Sequence, residues 1–513
     1  MPKDFDFGAV KLTAGGDNSN ARPSSETSFR VAILGDFSGR ANRGISEVKT
    51  IAKRRAVLVD RDNFDEVLSR SGAGLQLAIG DGSLNLRFSD LDDFHPDRIF
   101  LHLEAFSKLR ELRSRLSDPS TFQDAARELG LRAPASVSEP QRPDVSSAVA
   151  PSAAQLASGS LLDEMIEQTE SRVAEDRYRH KPDAVREFAQ RVAAEHQASL
   201  PDARQPEILS VIDRGVGELM RAVLHNRDFQ ELEALWRATF LLVRQLETGS
   251  QLKLYLIDIS KEELAADLNT VSNLRDTGTY RLLVEQSVET PGAELWSLIV
   301  GDYDFGSSSG DLAMLSRIAE IAHHAGAPFL AAASAHLLGR DSLASSPHPR
   351  EWKTPLELAA AWVELRRQTE ADSVGLALPR FLLRLPYGKK TWPLESFDFE
   401  EFPEQPVHED YLWGNPAFAV ALLLAQSFSE SGWEMRPGML TEIGGLPLHV
   451  FGKPGESESK PCAEILLTDV ALERLLEEGL MPLVSFKDSD RARVMRFQSI
   501  AEPPRALFGR WDR

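Results

Sequence analysis

The sequence predicts an α/β (α+β) protein built as two modules, and three observations lead to that prediction. Short apolar stretches with β-strand alternation are interleaved with longer stretches whose apolar residues recur every three or four positions, as in amphipathic helices. Residues 133–160 interrupt this pattern with a tract rich in Ala, Ser, Pro and Val. At 513 residues, the chain also exceeds what one hydrophobic core normally serves.

The first module is expected over residues 28–132, after an N-terminal arm at residues 1–27 that is rich in Gly, Ser, Asn and Asp. The arm carries one short strand pattern, FDFGAVKL. In the module, the strand RVAILG is followed by a short helix that Asp62 is expected to cap. The segment LQLAIGDGSLNLRF alternates twice around Asp81-Gly82, which predicts a hairpin. A single long helix then begins at Pro96 and extends through RELRSRL.

Residues 133–160 are expected to form a disordered, partly extended linker, because Ala, Pro and Ser bury little surface. The second module, 161–513, begins with SLLDEMIEQTE, a short amphipathic helix pattern. A longer helix, FQELEALWRATFLLVRQLE, precedes the strand LKLYLIDI, and Ser260 with Glu263 predicts a capping box for the helix after it. The segments LWSLIVGDYDFG, LAMLSRIAEIAHHAG and PFLAAAS predict a strand, a helix and a strand. In YLWGNPAFAVALLLAQSF we expect a helix buried in the core, with a subunit contact as the alternative.

Charge and composition limit which classes of partner the protein can bind and predict the cell compartment in which it is found. The chain has 58 Lys and Arg against 78 Asp and Glu, a formal charge of -20, which disfavours nucleic acid and anionic membranes as general partners, and no basic groove is recognised. Its one cysteine, Cys462, excludes an internal disulfide framework. No signal peptide and no span of about 20 apolar residues is recognised, which predicts a cytoplasmic protein without membrane insertion.

Two similar segments, LGDFSGR and LIVGDYDFG, each join an apolar strand to Gly-Asp-aromatic. A phosphate loop is the chemical alternative, but neither segment continues as Gly-Lys-Ser/Thr or as G-x-G-x-x-G, and an aspartate would repel a phosphate. We therefore interpret both as strand ends, where glycine permits a sharp exit and aspartate caps the following turn.

Other chemical motifs are weak. The turn LPYGKKTW lacks the first glycine and the hydroxyl residue of a Walker A loop. His323 and His324 are adjacent and point to different sides of a helix, so they cannot share a metal ion as residues at i and i+4 could. No serine is set in G-x-S-x-G, and nothing near Cys462 would activate a thiol. No catalytic residue, cofactor-binding residue or metal ligand is assigned, and no cofactor is expected.

Taken together, the motifs resemble the two subunits of the type VI secretion contractile sheath. Residues 29 to about 130, with LGDFSGR, DNFDEVL and LRFSDLDDFHPDRI, resemble the small subunit of the TssB or VipA family. Residues from about 158 to 500 resemble the large subunit of the TssC or VipB family, through SLLDEMIEQT, VLHNRDFQELEALWR, GDYDF, RIAEIAHHAGAPFLAAAS, VGLALPRFLLRLPYGKKTWPLESFDFEE and YLWGNPAFA. The order of the segments is also that of the family, with the two subunits fused through the linker.

The resemblance implies a structural protein of the bacterial cytoplasm, not an enzyme. In the family, intertwined protomers stack as a helical tube around an Hcp-like inner tube, above a baseplate, and contraction drives the inner tube outward. The helix SLLDEMIEQT matches the segment that a ClpV-type AAA+ unfoldase recognises, so the resemblance makes Leu161, Leu162 and Ile166 groove anchors. The alternative is that this helix packs on its own domain.

Two departures from the family leave alternatives open. Large subunits continue past LMPLVSFKDSDRARVMRFQS to a C-terminal arm that links protomers, so this chain is expected to be C-terminally truncated, and its N-terminal strand is weaker. A non-polymerising accessory, such as a cap, baseplate adaptor or regulator, is therefore a second hypothesis. A third is a nucleotide-binding α/β enzyme that uses the two Gly-Asp strand ends.

Overall fold

The computed structural model describes most of both modules. The described residues are 5–7, 10–12, 23–79, 82–118, 121–128, 205–353, 356–453 and 456–512. The linker predicted at 133–160 and the helix predicted to follow it lie outside these ranges. The chain divides into two compact units, the first made of residues 1–73, 231–385 and 411–513 and the second of residues 74–230 and 386–410. Each unit thus draws on both sides of the linker, so the division in space differs from the division along the sequence.

The strands and helices alternate along the chain, as an α/β protein requires. The strands are β1 (Phe5–Phe7), β2 (Val10–Leu12), β3 (Phe29–Gly35), β4 (Val57–Val59), β5 (Gly74–Ile79), β6 (Gly82–Arg87), β7 (Leu252–Asp258), β8 (Leu298–Phe305), β9 (Phe329–Ala333), β10 (Val374–Leu378), β11 (Phe381–Leu382), β12 (Trp413–Gly414), β13 (Glu442–Ile443), β14 (Val450–Lys453), β15 (Glu456–Ser459), β16 (Met481–Ser485) and β17 (Ala492–Val494). The helices of seven or more residues are α1 (Phe64–Ser71), α2 (Pro96–His102), α3 (Ser107–Ser117), α4 (Phe122–Glu128), α5 (Gln205–Leu224), α6 (Arg227–Gln245), α7 (Lys261–Thr270), α8 (Ser309–Ala325), α9 (Leu356–Arg366), α10 (Pro416–Ser431) and α11 (Asp469–Glu477).

A nine-stranded mixed sheet forms the centre of the first unit, in the order β13-β17-β16-β10-β9-β8-β3-β7-β4. The strands from β16 to β7 in this order are parallel to their neighbours, whereas β4, β17 and β13 are antiparallel at the two edges. The inner strands are continuous apolar runs buried on both faces, as parallel strands usually are. Helix α10 packs on β8, β9 and β10, and its cluster Leu422–Leu424 is fully buried, which agrees with the core position preferred from the sequence.

The second unit contains the β5–β6 hairpin and helices α2 to α5. The hairpin pairs Gly74 with Arg87 through to Ile79 with Gly82, which confirms the predicted pairing of these two segments. Phe88 and Phe94 stack at 4.0 Å between ring centroids, and Phe229 packs edge-on to both.

Several predicted elements differ from the structure in local detail. Asp62 does not cap α1, because the residue at the N-cap position is Asn63 and no side chain caps the helix there. Instead, the Asp60 carboxylate accepts hydrogen bonds from the backbone N–H groups of Asp62 and Asn63, which forms a turn just before the helix. The helix expected from Pro96 is interrupted at Leu103, whose extended backbone (ψ 126°) separates α2 from α3. The arm FDFGAVKL forms two short strands, β1 and β2, that pair with each other, rather than one.

Candidate assembly site

The candidate site is the junction where strand β3, from the first module, enters the sheet of the second. All of β3 is in register with β7, from Phe29 opposite Leu252 to Gly35 opposite Asp258. On its other side it pairs with β8, from Val31 opposite Leu298. Strands β7 and β8 therefore meet through β3, and the sheet of the second module depends on a strand from the first.

The two Gly-Asp segments lie side by side in this junction. Leu34 of β3 is aligned with Gly301 of β8. A Cβ atom on Gly35 would lie 3.2 Å from the Asp302 Cβ and 2.9 Å from the Leu235 Cδ2, so a side chain here would require Leu235 and Asp302 to shift. The repeat in the sequence thus corresponds to two neighbouring positions in one sheet.

The first Gly-Asp segment is a capped strand end, as the sequence predicts. Its Asp36 carboxylate accepts hydrogen bonds from the backbone N–H groups of Arg40 at 2.6 Å and Ala41 at 2.8 Å. Because these amides already bind a carboxylate of the chain itself, they are not free to bind the phosphate of a nucleotide.

The second Gly-Asp segment corrects the sequence interpretation. Strand β8 does not end at Gly301 but continues to Phe305, with an irregular register toward β9. Glycine is needed because a Cβ here would lie 2.6 Å from the Phe329 ring and 2.7 Å from the Tyr303 ring. Asp302 therefore follows a mid-strand glycine and does not begin a turn.

Asp302 is an unusual acid at this junction. Burial raises the pKa of its carboxyl to about 7, and the negative charges of Glu231, Asp304 and Asp36 act in the same direction, whereas a hydrogen bond from Asn415 opposes them. The junction therefore contains a carboxyl group that changes charge near neutral pH.

A buried ion-pair network joins the two modules beside β3. Glu263 is 1% exposed, and its carboxylate accepts hydrogen bonds from the Arg54 guanidinium at 2.6 and 2.8 Å. The Arg40 Nε lies 3.3 Å from the same carboxylate, while the Arg40 Nη1 lies 3.1 Å from the Asp258 carboxylate. Two arginines of the first module are thus neutralised by two acids of the second.

The pKa of Glu263 is lowered overall. Burial alone raises it, but the hydrogen bonds from Arg54 and from the Glu47 backbone N–H, together with the charges of Arg54 and Arg40, outweigh burial. Glu263 also completes the predicted capping box with Ser260 at the start of α7. One carboxylate therefore fixes a helix start and the contact between the modules.

Aromatic contacts hold the same segment from α6. The Trp236 indole N–H donates to the Phe37 carbonyl at 3.0 Å, and both the Phe37 and Phe64 rings pack edge-on against the indole. On β3, the Arg30 guanidinium lies 4.6 Å from the Tyr255 ring centroid and 4.3 Å from that of Trp296.

The start of β3 is enclosed by the C-terminal part of the chain. The Phe29 ring lies 4.8 Å from Phe428, 5.7 Å from Trp433 and 6.5 Å from Trp511, measured between centroids. The Trp433 indole N–H donates to the Thr27 carbonyl at 2.8 Å. Apolar contacts from three later segments therefore bury the entry of β3 into the sheet.

The two Gly-Asp segments are the sequence candidates that the structure brings together. Leu161, Leu162 and Ile166 lie outside the described residues. In the turn LPYGKKTW, Lys389 pairs with Asp398 at 3.0 Å. Burial raises the pKa of the Cys462 thiol to about 11, which makes it less reactive.

In the ranges that the structure covers, no three His, Cys, Asp or Glu side chains are grouped as a metal ion would require. Nor does any helix there have the length and apolar character of a membrane span.

The ion pairs that join the two modules were missed from the sequence. Glu263 is predicted as a capping residue, but nothing in its local pattern shows that Arg54, about 200 residues earlier, neutralises it. The available signal is Arg40, shortly after the apolar strand β3, and an arginine at such a position is common in soluble proteins.

Comparisons with known proteins match both modules. Residues 206–501 match the VipB family, described as the EvpB tail sheath N-terminal domain, and residues 10–130 match the family described as type VI secretion system VipA. The chain is 35% identical over 334 residues to the type VI secretion system sheath protein TssC1 of Pseudomonas aeruginosa, an alignment that covers 62% of this chain and 67% of that protein. Strand β3 lies in the VipA-like part, and β7 and β8 lie in the VipB-like part.

Proposed function

The chain belongs to the type VI secretion sheath family as a fusion of VipA-like and VipB-like parts, and we propose that one polypeptide acts as one fused protomer of a contractile sheath. It is a structural sheath component, and the matching families are structural. In this function, protomers assemble around an Hcp-like inner tube in the bacterial cytoplasm, dock on a baseplate, and drive the tube outward by contraction.

One observation carries this proposal: β3 is the strand between β7 and β8. A small-subunit strand that completes the large-subunit sheet makes the two parts one mechanical body. Force applied to either part is then transmitted through backbone hydrogen bonds on both sides of β3. Fusion also makes the pairing intramolecular, which raises its effective concentration and fixes the ratio of the parts at one to one.

Such a device requires neither a catalytic residue nor a cofactor. The work of contraction would come from a difference in interface free energy between two packings of the same protomers, repeated along a helical assembly.

Negative-stain microscopy of the purified protein, alone and with the inner-tube protein, tests assembly. We expect tubes or helical fragments in at least one condition. Monomers in both conditions would refute tube building and favour the non-polymerising accessory.

Equilibrium binding of ATP, GTP and NAD tests the enzyme alternative, for which we expect no affinity in the micromolar range.

Cutting the linker tests the fused-body premise separately. A protease site placed within 133–160 allows the chain to be cleaved after folding, and the two pieces should remain together on dilution because β3 is held on both sides. Separation of the pieces in dilute buffer would show that the modules are independent.

Recognition by a ClpV-type unfoldase is a further part of the proposal and rests on the resemblance of SLLDEMIEQT. Replacing Leu161, Leu162 and Ile166 together with Ala should abolish binding of the unfoldase to the sheath, since these side chains would fill its groove. A control that replaces Glu164 and Glu167 with Ala should retain binding. Equal binding of both variants would support the alternative that the helix packs on its own domain.

A further inference from the structure

One exposed surface of this acidic protein carries a strong positive charge. Residues 40–61 contain seven Lys or Arg and two acids, a net charge of +5 on a chain whose total is -20. The rest of the chain therefore carries -25. The segment lies at the β4 edge of the sheet. We call its exposed residues Lys49, Lys53, Arg55, Val57 and Leu58 the basic edge, which excludes the buried Ile51 and the junction residue Arg54.

The positive charges of the basic edge are available to a partner. Lys49, Lys53 and Arg55 are exposed, and the structure records no ion pair for any of them among the described residues. They differ in this from Arg40 and Arg54, whose charges are neutralised by the junction.

Exposed apolar surface accompanies these charges. Val57 and Leu58 of β4 are 45% and 43% exposed, although both are apolar. Strand β4 is the terminal strand on this side of the sheet. The outward Leu58 carbonyl accepts a hydrogen bond from the Asn63 side chain, which disfavours extension of the sheet by another strand. Side-chain contact, rather than strand addition, is therefore the mode of binding that this edge favours.

We propose that the basic edge is one half of a contact between two copies of this chain, and that the other half is the acidic loop at residues 395–410. That loop carries seven acids and no Lys or Arg, and Glu395, Glu400, Glu404 and Glu409 are among its exposed residues. It also exposes an apolar side chain, Val407, at 55%. Both surfaces thus combine exposed apolar groups with charges of opposite sign.

A contact between two different surfaces of identical chains is heterologous, and such contacts generate helical assemblies when they do not close into a ring. The inference thus rests on the proposed function and names a contact within it. A duplex nucleic acid or an anionic membrane would meet the same basic edge, but the surrounding charge of -25 would repel it.

Charge reversal of the basic edge tests the proposal. The variant Lys49→Glu/Lys53→Glu/Arg55→Glu should raise the protein concentration needed for assembly more than about tenfold, because like charges would then face each other. The control Arg98→Glu/Lys108→Glu/Lys487→Glu makes the same charge change at exposed residues elsewhere and should assemble like wild type. Circular dichroism and the melting temperature check that both variants are folded, and light scattering with negative-stain microscopy measures assembly.

A compensating variant tests the identity of the partner surface. Adding Glu395→Lys and Glu404→Lys to the reversed basic edge should restore assembly in part, since each interface would again pair opposite charges. Failure of this restoration would overturn the assignment of the acidic loop.

The remaining outcomes separate the contact from the proposed function. If wild type assembles and the reversed variant assembles equally well, the contact is wrong while the proposed function stands. If the control variant loses assembly to the same extent, net charge and not the basic edge is responsible, and the contact is again wrong. If wild type remains monomeric with and without the inner-tube protein, the proposed function fails and this contact fails with it. Binding of wild type, but not of the reversed variant, to duplex DNA or to anionic vesicles at physiological salt would also overturn the assignment to a second copy.

Discussion

Replacing Glu263 with Gln should destabilise the junction between the two modules by about 3 kcal/mol. The amide keeps the shape of the side chain and can still accept one hydrogen bond, but it removes the charge that faces Arg54 at 2.6 Å. The Arg54 side chain is 9% exposed, so its guanidinium would remain buried without a carboxylate. Breaking a buried pair by removing one partner costs about 3–5 kcal/mol. The lower end of that range applies because Arg40, the second arginine beside Glu263, keeps its ion pair with Asp258.

A double-mutant cycle measures this pair directly. The single variants Glu263→Gln and Arg54→Met should each lower the free energy of unfolding in urea, whereas the double variant should cost less than their sum by about 2 kcal/mol. Glu262→Gln, on the exposed side of the same helix turn, is the matched control and should change stability by less than about 0.5 kcal/mol. Strict additivity of the two single changes would refute the network as described.

The pH dependence of the same variant gives an independent check. Because the folded pKa of Glu263 is lowered, its stabilising effect is present above the ordinary pKa of 4.5 and is lost as the pH falls through the folded value. The difference between wild type and Glu263→Gln should therefore be largest near neutral pH and shrink below about pH 4.5. A difference that stays constant down to pH 3 would contradict this assignment.

Three further changes test the junction. Asp302→Asn should stabilise the fold increasingly from pH 4 to pH 8, by up to about 4 kcal/mol, because this partly buried carboxyl, with its pKa raised to about 7, must ionise in the folded state. Parallel stability curves for the two proteins would contradict this. Gly301→Ala should lower stability by about 1–3 kcal/mol through overpacking, whereas Gly249→Ala, with no neighbouring atom within 4 Å, should be tolerated, and thermal unfolding compares the two. Trp236→Phe should cost about 1–3 kcal/mol because it leaves the Phe37 carbonyl without its indole donor, and equal stability in urea would show that this hydrogen bond contributes nothing.

The local pattern of the sequence accounts for much of the fold but not for the arrangement of its strands. Alternation and capping residues correctly placed β3, the β5–β6 hairpin, the helix after Ser260 and the buried helix after Asn415, because each is determined by neighbours within a few residues. The same information placed RVAILG in a small module of its own. A strand buried on both faces reads as an uninterrupted apolar run, and such a run does not show which sheet it joins.

The candidate site was harder to predict for the same reason. Its members come from positions near 36, 54, 263 and 302, and only the three-dimensional pairing brings them together. The Gly-Asp repeat was a genuine signal of the junction, since both copies lie in it. Its chemical meaning differed between the copies. One aspartate caps a turn, and the other, partly buried, follows a mid-strand glycine whose neighbouring rings cannot be inferred from the local sequence.

The central position of β3 also determines when the sheet can close during synthesis. Its partners in β7 and β8 leave the ribosome about 220 and 270 residues later, so FRVAILG is made long before anything can pair with it. Contacts this distant in sequence make folding slow. An apolar strand whose partner strands have not yet been synthesised is also prone to aggregation. The nascent protein therefore needs either a transient contact that shields this strand from other chains or translation fast enough to shorten the time for which the strand is unpaired.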